Sequence, residues 1–337
     1  MRRRTFIAGL GLPLVAAACA PAVQTIGAPE LGFSGPRLED DVFVSYDGAR
    51  LGLTRWMPGG ERGGGEPETV IVGLHGFNDY SNTFHLAAPW WAEQGIATYA
   101  FDQRGFGRSP NRGVWAPDTA TTEDLRICVD LVRQRHPKAL ITVAGVSMGG
   151  SITIAAFASD RPPAADRVVL LAPGVWGWSS QPLPNKTALW LTSHTVGSRV
   201  INPPEWVLRN VRASDNTEEL IRMGRDPLMI WGSRFDTMWG LVRLMDTAWS
   251  STGKIAQPVG YFYGALDDVV PREPSEQAAR RLKPTDRTAY YEHGYHLLLI
   301  DRQRQRVMED VAAFIRDPAA PLPSRPPPIR NLPKRKV

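Results

Sequence analysis

The stretch VAGVSMGGSI, residues 143–152, sets a single serine, Ser147, among Gly145, Gly149 and Gly150, directly after one apolar run and directly before another. An ordinary core strand has no use for three glycines around a serine. A strand that turns sharply into a helix, with the serine at the corner, needs small residues so that the backbone can fold tightly. Gly145-Val146-Ser147-Met148-Gly149 fits G-x-S-x-G. The run ALITVA before it reads as a strand, and residues 148–159 after it read as a buried helix.

Working outward from this corner, the same order repeats. TVIVGLHG (69–76), ATYAFDQRG (97–105), RVVLLAPG (167–174), PVGYFYGALDD (258–268) and RTAYYEHGYH (287–296) read as strands. Helical stretches near 82–94, 121–136, 275–283 and 301–316 separate or follow them. Apolar strands alternating with helices predict an α/β fold with a mostly parallel central sheet flanked by helices. Upstream, DVFVSYDGARLGLTRWMP (41–58) alternates around Asp47-Gly48 and predicts a hairpin.

The rhythm breaks over 175–256. This insertion holds seven of the chain's eleven tryptophans, with Met223, Met229, Met238 and Met245 beside them. It reads as a mostly helical cap, and its apolar side chains fit a cover over an apolar pocket. Helical packing on the body accounts for part of them. The body is therefore expected over 41–174 and 257–317.

Both ends differ from the body. MRRRTFIAGLGLPLVAAACAPA has a basic start, an apolar stretch and a small-residue end, the layout of an export signal over residues 1–19. Arg3 and Arg4 before Phe6 and Ile7 resemble a twin-arginine signal. AAAC at 16–19 resembles a lipoprotein processing site with Cys19 as the lipidated residue, and simple cleavage near Ala18 or Ala20 is the alternative. The expected location is the cell envelope or periplasm, with the chain held to a membrane surface through Cys19. Residues 20–40 read as a linker, and the proline-rich basic tail 318–337 reads as disordered.

The net charge of +5 does not indicate nucleic-acid binding. Eight bases lie within 1–20 and 318–337, where there is no acid, and the rest carries 31 basic and 34 acidic residues. Cys128, in an apolar-periodic helix, reads as an inert core thiol. No His/Cys/Asp cluster has metal-ligand spacing and no glycine loop fits a nucleotide, so no cofactor is expected.

A serine hydroxyl needs a base to become a nucleophile. His296, at the end of the last predicted strand, would reach the sheet edge where Ser147 emerges, and His293 is its rival. An acid must orient that histidine. Asp267 follows the preceding strand directly, with Asp268 as its competitor. The order Ser147, Asp267, His296 matches the α/β-hydrolase arrangement. Two backbone N–H groups should receive an oxyanion: Met148, directly after the nucleophile, and Phe77 in LHGFNDYS (74–81). His75 is expected to brace that loop and His85 to be a packing or surface residue.

Taken together, HGFNDYS, FDQRGFGRS, GVSMGG, GALDDVVP and GYH resemble the serine-hydrolase family containing monoacylglycerol lipases and bacterial lysophospholipases, the S33-type hydrolases. The resemblance spans about 70–175 and 257–315. It implies an α/β-hydrolase fold with a cap and structural roles for Asp102 and Arg104. It also implies hydrolysis of carboxylic esters through an acyl-enzyme, with a monoacyl lipid as substrate. Serine rather than aspartate at the elbow argues against dehalogenase or epoxide hydrolase chemistry. A peptidase, small-ester esterase or acyltransferase would use the same triad. A non-catalytic envelope lipoprotein acting as a binding or assembly factor is the reading from another class.

Overall fold

The computed structural model describes residues 20–59, 65–205 and 210–329. The export segment with Cys19, Trp206 of the insertion and the last residues of the tail lie outside the described residues. Among the described residues, eleven strands are β1 Arg37–Leu38, β2 Val42–Val44, β3 Arg50–Trp56, β4 Thr69–Leu74, β5 Ile96–Phe101, β6 Leu140–Val146, β7 Arg167–Leu171, β8 Val200–Ile201, β9 Ser233–Arg234, β10 Val259–Gly264 and β11 Arg287–Tyr291. Nine of them form one sheet in the order β1-β2-β3-β5-β4-β6-β7-β10-β11. The six strands from β5 to β11 in that order run parallel, and the first three are antiparallel additions.

The eight described helices named here are α1 Ala87–Glu93, α2 Asp118–Arg135, α3 Met148–Phe157, α4 Leu183–Thr195, α5 Thr217–Arg225, α6 Phe235–Ser251, α7 Arg272–Ala279 and α8 Arg304–Arg316. Strand side chains alternate between faces. Val70, Val72 and Leu74 of β4 enter a cluster with Leu125, Val129 and Val132 of α2 and Ile152 of α3. Ile71 of the same strand enters the opposite cluster with Trp91 of α1 and Val311 and Phe314 of α8. Both faces are covered, which is why the central strands read as unbroken apolar runs rather than as alternation.

The DG hairpin forms between β2 and β3. Gly48 has φ +82°, and the Asp47 carboxylate accepts from Ala49 N at 3.1 Å. Arg104 reaches from the far side to make paired hydrogen bonds with both Asp47 and Asp124, at 2.7 to 2.8 Å. All three side chains are almost fully buried. Burial works against ionised Asp47, but the Arg104 guanidinium holds its carboxyl below the ordinary range.

Three segments differ from expectation. The first part of the 20–40 linker packs on the body: Gln24 N donates to Trp115 O at 2.8 Å and Gln24 Nε2 donates to Val114 O at 2.6 Å. The tail, expected to be disordered, lies against the body over 318–329. Tyr290 N of edge strand β11 donates to Pro327 O at 3.0 Å, Ser324 N donates to Asp310 Oδ1 at 2.9 Å, and Ile329 is buried. Its prolines lack N–H groups, yet their carbonyls remain acceptors for the sheet edge. Finally, the insertion between β7 and β10 is not all lid. Leu244 and Ala248 of α6 belong to the same core cluster as α2 and α3. Trp115 lies so close to Gly240 that any side chain there would enter its indole ring.

Arg104→Ala should strand two buried carboxylates. A loss of about 3–5 kcal/mol is expected, read as a lower midpoint in chemical denaturation at neutral pH. An unchanged midpoint would remove the Arg104 network from any account of stability.

Candidate active site

Ser147 occupies the single-residue corner between β6 and α3. Its φ is +50° and ψ −114°, a strained conformation for a residue other than glycine. Its N–H donates to Leu171 O at 3.0 Å, and its carbonyl accepts from Gly174 N at 2.8 Å and Ser151 N at 3.1 Å. The end of β7, the segment after it and the helix therefore hold the corner. Gly149 shows why the following turn needs glycine. A Cβ there would collide with the carbonyl of Leu74 and lie 2.7 Å from that of His75. The helix start thus passes directly beneath the loop that leaves β4. Gly76 on that loop faces Ser147, and a Cβ added to it would sit 3.4 Å from Ser147 Cβ.

That loop is braced from below. Buried His75 bonds through Nδ1 to Gly76 O at 2.7 Å, and its Nε2 accepts from Gln103 N at 2.9 Å. Burial depresses its pKa to about 4, so the ring is neutral. Asp102 accepts from Ser81 N at 2.9 Å and from Arg108 N and Nε at 2.9 and 2.8 Å. Burial alone would raise this carboxyl, and those donors hold it below its ordinary range.

On the neighbouring strand ends, His296 Nδ1 and Asp267 Oδ2 are 2.8 Å apart, with both side chains buried. The other oxygen of Asp267 accepts from Val269 N and Val270 N at 2.8 and 2.9 Å. The rivals are elsewhere: His293 is exposed, and Asp268 is exposed and accepts from Arg212 N at 3.2 Å. Ser147, His296, Gly76 and Phe77 all line one cavity of about 740 Å³. Met148, buried, forms the first residue of α3, where helix N–H groups favour negative charge. The structure thus brings Ser147 and His296 to one cavity and pairs Asp267 with His296. Trp176, Trp178, Met223, Met238 and Met245 of the insertion wall the same space.

Three other features were not read from the sequence. His85 reaches the insertion, with Nε2 3.0 Å from Glu219 Oε2 of α5. Asp79 lines the cavity, accepting from Tyr80 N at 2.8 Å and from Thr83 Oγ1. Asp301 is fully buried near His296. An acid within the apolar run LLLID was the available signal for Asp301, because a buried acid needs a reason.

A nine-stranded, mostly parallel sheet with helices on both faces and a serine elbow at a strand-to-helix corner defines an α/β-hydrolase. The sequence model of the family described as "Serine aminopeptidase, S33" matches residues 65–303, and the chain belongs to that family. It is 24% identical over 288 residues to the monoacylglycerol lipase of Mycolicibacterium smegmatis, spanning 81% of this chain and 95% of that protein. A soluble variant of monoglyceride lipase from Saccharomyces cerevisiae has a similar structure, with TM-score 0.67, 17% identity, and coverage of 86% of this chain and 98% of that one. A carboxyl esterase from Bacillus coagulans matches with TM-score 0.69 at 18% identity, covering 84% and 99%. The chain is a monoacylglycerol lipase-like ester hydrolase.

Burial raises the Asp79 carboxyl to about 6 in the folded protein, against 3.8 as its ordinary value. Below about pH 4 folded and unfolded chains both hold this proton. Between about 4 and 6 the unfolded chain releases it first, so folding stability falls by about 3 kcal/mol across that window. Asp79→Asn removes this fall. Its melting temperature relative to wild type should be higher at pH 7.5 than at pH 4, and an equal difference at both would rule out the carboxyl as the cause.

Proposed function

We propose that the chain hydrolyses monoacyl lipid esters through a Ser147–His296–Asp267 triad. The observation that carries this reading is the shared apolar cavity, which Ser147 enters from a strained corner and His296 enters already paired to Asp267. Asp267 occupies Nδ1, which leaves Nε2 as the ring nitrogen that can take a proton. Ser147 Oγ attacks the ester carbonyl carbon while His296 Nε2 removes its proton. The carbonyl oxygen becomes an oxyanion held by the N–H groups of Met148 and Phe77. The tetrahedral adduct collapses, the C–O bond to the alcohol breaks, and His296 returns its proton to the leaving oxygen. Water, deprotonated by the same nitrogen, then cleaves the acyl-enzyme and restores Ser147.

The substrate class follows from the walls. The cavity is within the roughly 300–1,000 Å³ range of small-ligand sites and is lined mostly by apolar side chains, with tryptophan, methionine, leucine and valine foremost among them. Such a surface favours an acyl chain. The names of the similar proteins, monoacylglycerol and monoglyceride lipases, support a single-chain glycerol ester. A lysophospholipid, which the sequence motifs suggest, carries the same single acyl chain.

A fluorophosphonate reagent should label the wild-type protein and leave Ser147→Ala unlabelled. The same variant should lose about 10⁴-fold or more in turnover of p-nitrophenyl esters and monoacylglycerols. Labelling that survives in Ser147→Ala would overturn the assignment of the nucleophile.

Export and anchoring belong to the same proposal, supported by the arginine pair and AAAC in residues 1–19. Full-length protein expressed in a bacterium should partition into detergent after cell lysis, and Cys19→Ser should move to the aqueous phase. Equal partitioning of both would overturn lipidation at Cys19.

A further inference from the structure

His296 lies on the loop between β11 and α8, and both peptide N–H groups flanking it are pinned. Tyr295 N donates to Asp301 Oδ2 at 2.8 Å. Leu297 N donates to Ala213 O at 2.9 Å. The second oxygen of Asp301 accepts from Ser214 Oγ at 2.7 Å. Ala213 and Ser214 belong to the insertion, so both clamps on the histidine peptide lead to one short strap of the cap.

The strap is stitched further along. Asn216 Nδ2 donates to Ile300 O at 2.9 Å, and Arg302 N donates to Asp215 Oδ1 at 2.8 Å. Asn216 N also donates to Ser214 Oγ at 3.2 Å, which orients that hydroxyl toward Asp301. Asp301 itself is fully buried and has no ion pair with a lysine or arginine among the described residues. Burial pushes its carboxyl up to about 7, Asp215 adds to the rise, and His296 opposes it. A buried carboxyl without a cation is costly for a fold to retain, and an amide or an apolar side chain would fill the volume more cheaply. Its two oxygens are spent on a peptide next to the histidine and on the cap.

Resting on the triad reading above, we propose that Asp301 is a positioning residue for His296. It holds the Tyr295 peptide so that the imidazole keeps Nδ1 on Asp267, and through Ser214 it makes this anchor depend on the cap strap Ala213–Asn216. The cap is then part of the catalytic scaffold as well as the wall of the pocket. The distance at stake is small. A displacement of about 1 Å at a reacting group costs roughly 100-fold in rate, whereas substrate contacts with the apolar walls would be untouched.

The test uses Asp301→Ala, Asp301→Asn, Asp301→Glu and Ser214→Ala. Active sites are counted by fluorophosphonate titration, kcat and KM are measured on a short p-nitrophenyl ester, and the low-field proton signal of the His296–Asp267 hydrogen bond is recorded, identified by its loss in Asp267→Asn. Asp301→Ala should lose about 10–100-fold in kcat per titrated site with KM within about twofold, and its low-field signal should broaden or vanish. Asp301→Glu should recover part of both, and Ser214→Ala should fall between wild type and Asp301→Ala. Wild-type kcat per site and an intact signal in Asp301→Ala, with only a lower melting temperature, would overturn the proposal. Should Asp301→Ala fail to fold, unchanged kcat and signal in both Asp301→Asn and Ser214→Ala would overturn it equally. Wild type that neither labels nor turns over ester would sink the hydrolase reading instead, and the low-field signal would still decide whether Asp301 positions His296.

Discussion

The first turn of α3 passes so close beneath the end of β4 that the carbonyls of Leu74 and His75 exclude a side chain at Gly149. That contact places the corner residue Ser147, the N-terminus of α3 and the loop with Gly76 and Phe77 within one small volume. None of the three could serve the proposed chemistry alone. A serine without helix N–H groups would have nothing to receive an oxyanion, and the loop without the tight turn would sit too far away. The price of this arrangement is local strain at Ser147, which the surrounding hydrogen bonds to Leu171 and Gly174 sustain.

Charged groups support the loops around this corner without entering it. Asp102 gathers donors from Ser81 and Arg108, and Arg104 bridges Asp47 of the hairpin to Asp124 of α2. These pairs tie the antiparallel additions to the parallel sheet below the pocket. Removing one partner of such a buried pair leaves an unpaired charge, so each pair depends on both of its members. On the opposite side of the cavity, the insertion is held by Ser214 on Asp301 and by Glu219 on His85. The body and the cap therefore meet through directed polar contacts around an apolar interior.

Much of the framework was legible because its signals are local. Unbroken apolar runs, glycines around Ser147 and Asp47-Gly48 act within a few residues, so strands, elbow and hairpin could be read along the chain. The choice of His296 over His293, and of Asp267 over Asp268, used the ends of strands as landmarks. The pair that meets is the one on the sheet-edge side, while His293 and Asp268 are exposed. Composition misled at the tail: prolines and bases read as disorder, yet 318–329 lies against the body, and Tyr290 N–H on the open edge of β11 donates to the carbonyl of Pro327.

By itself, the sequence determined the α/β order, the corner at Ser147, the candidate triad in its chain order, and the place and apolar character of the insertion. These follow from backbone sterics and from hydrophobic periodicity, which are properties of short segments. Only the tertiary structure decided that α6 is shared between cap and core, and that Asp79 turns toward the cavity. Only it joined Ala213–Asn216 to the histidine loop, through Ser214 and Asp301, across more than eighty residues of chain. Such contacts depend on where distant segments meet in space, and a hydrogen bond between two polar side chains leaves no periodic mark on either segment.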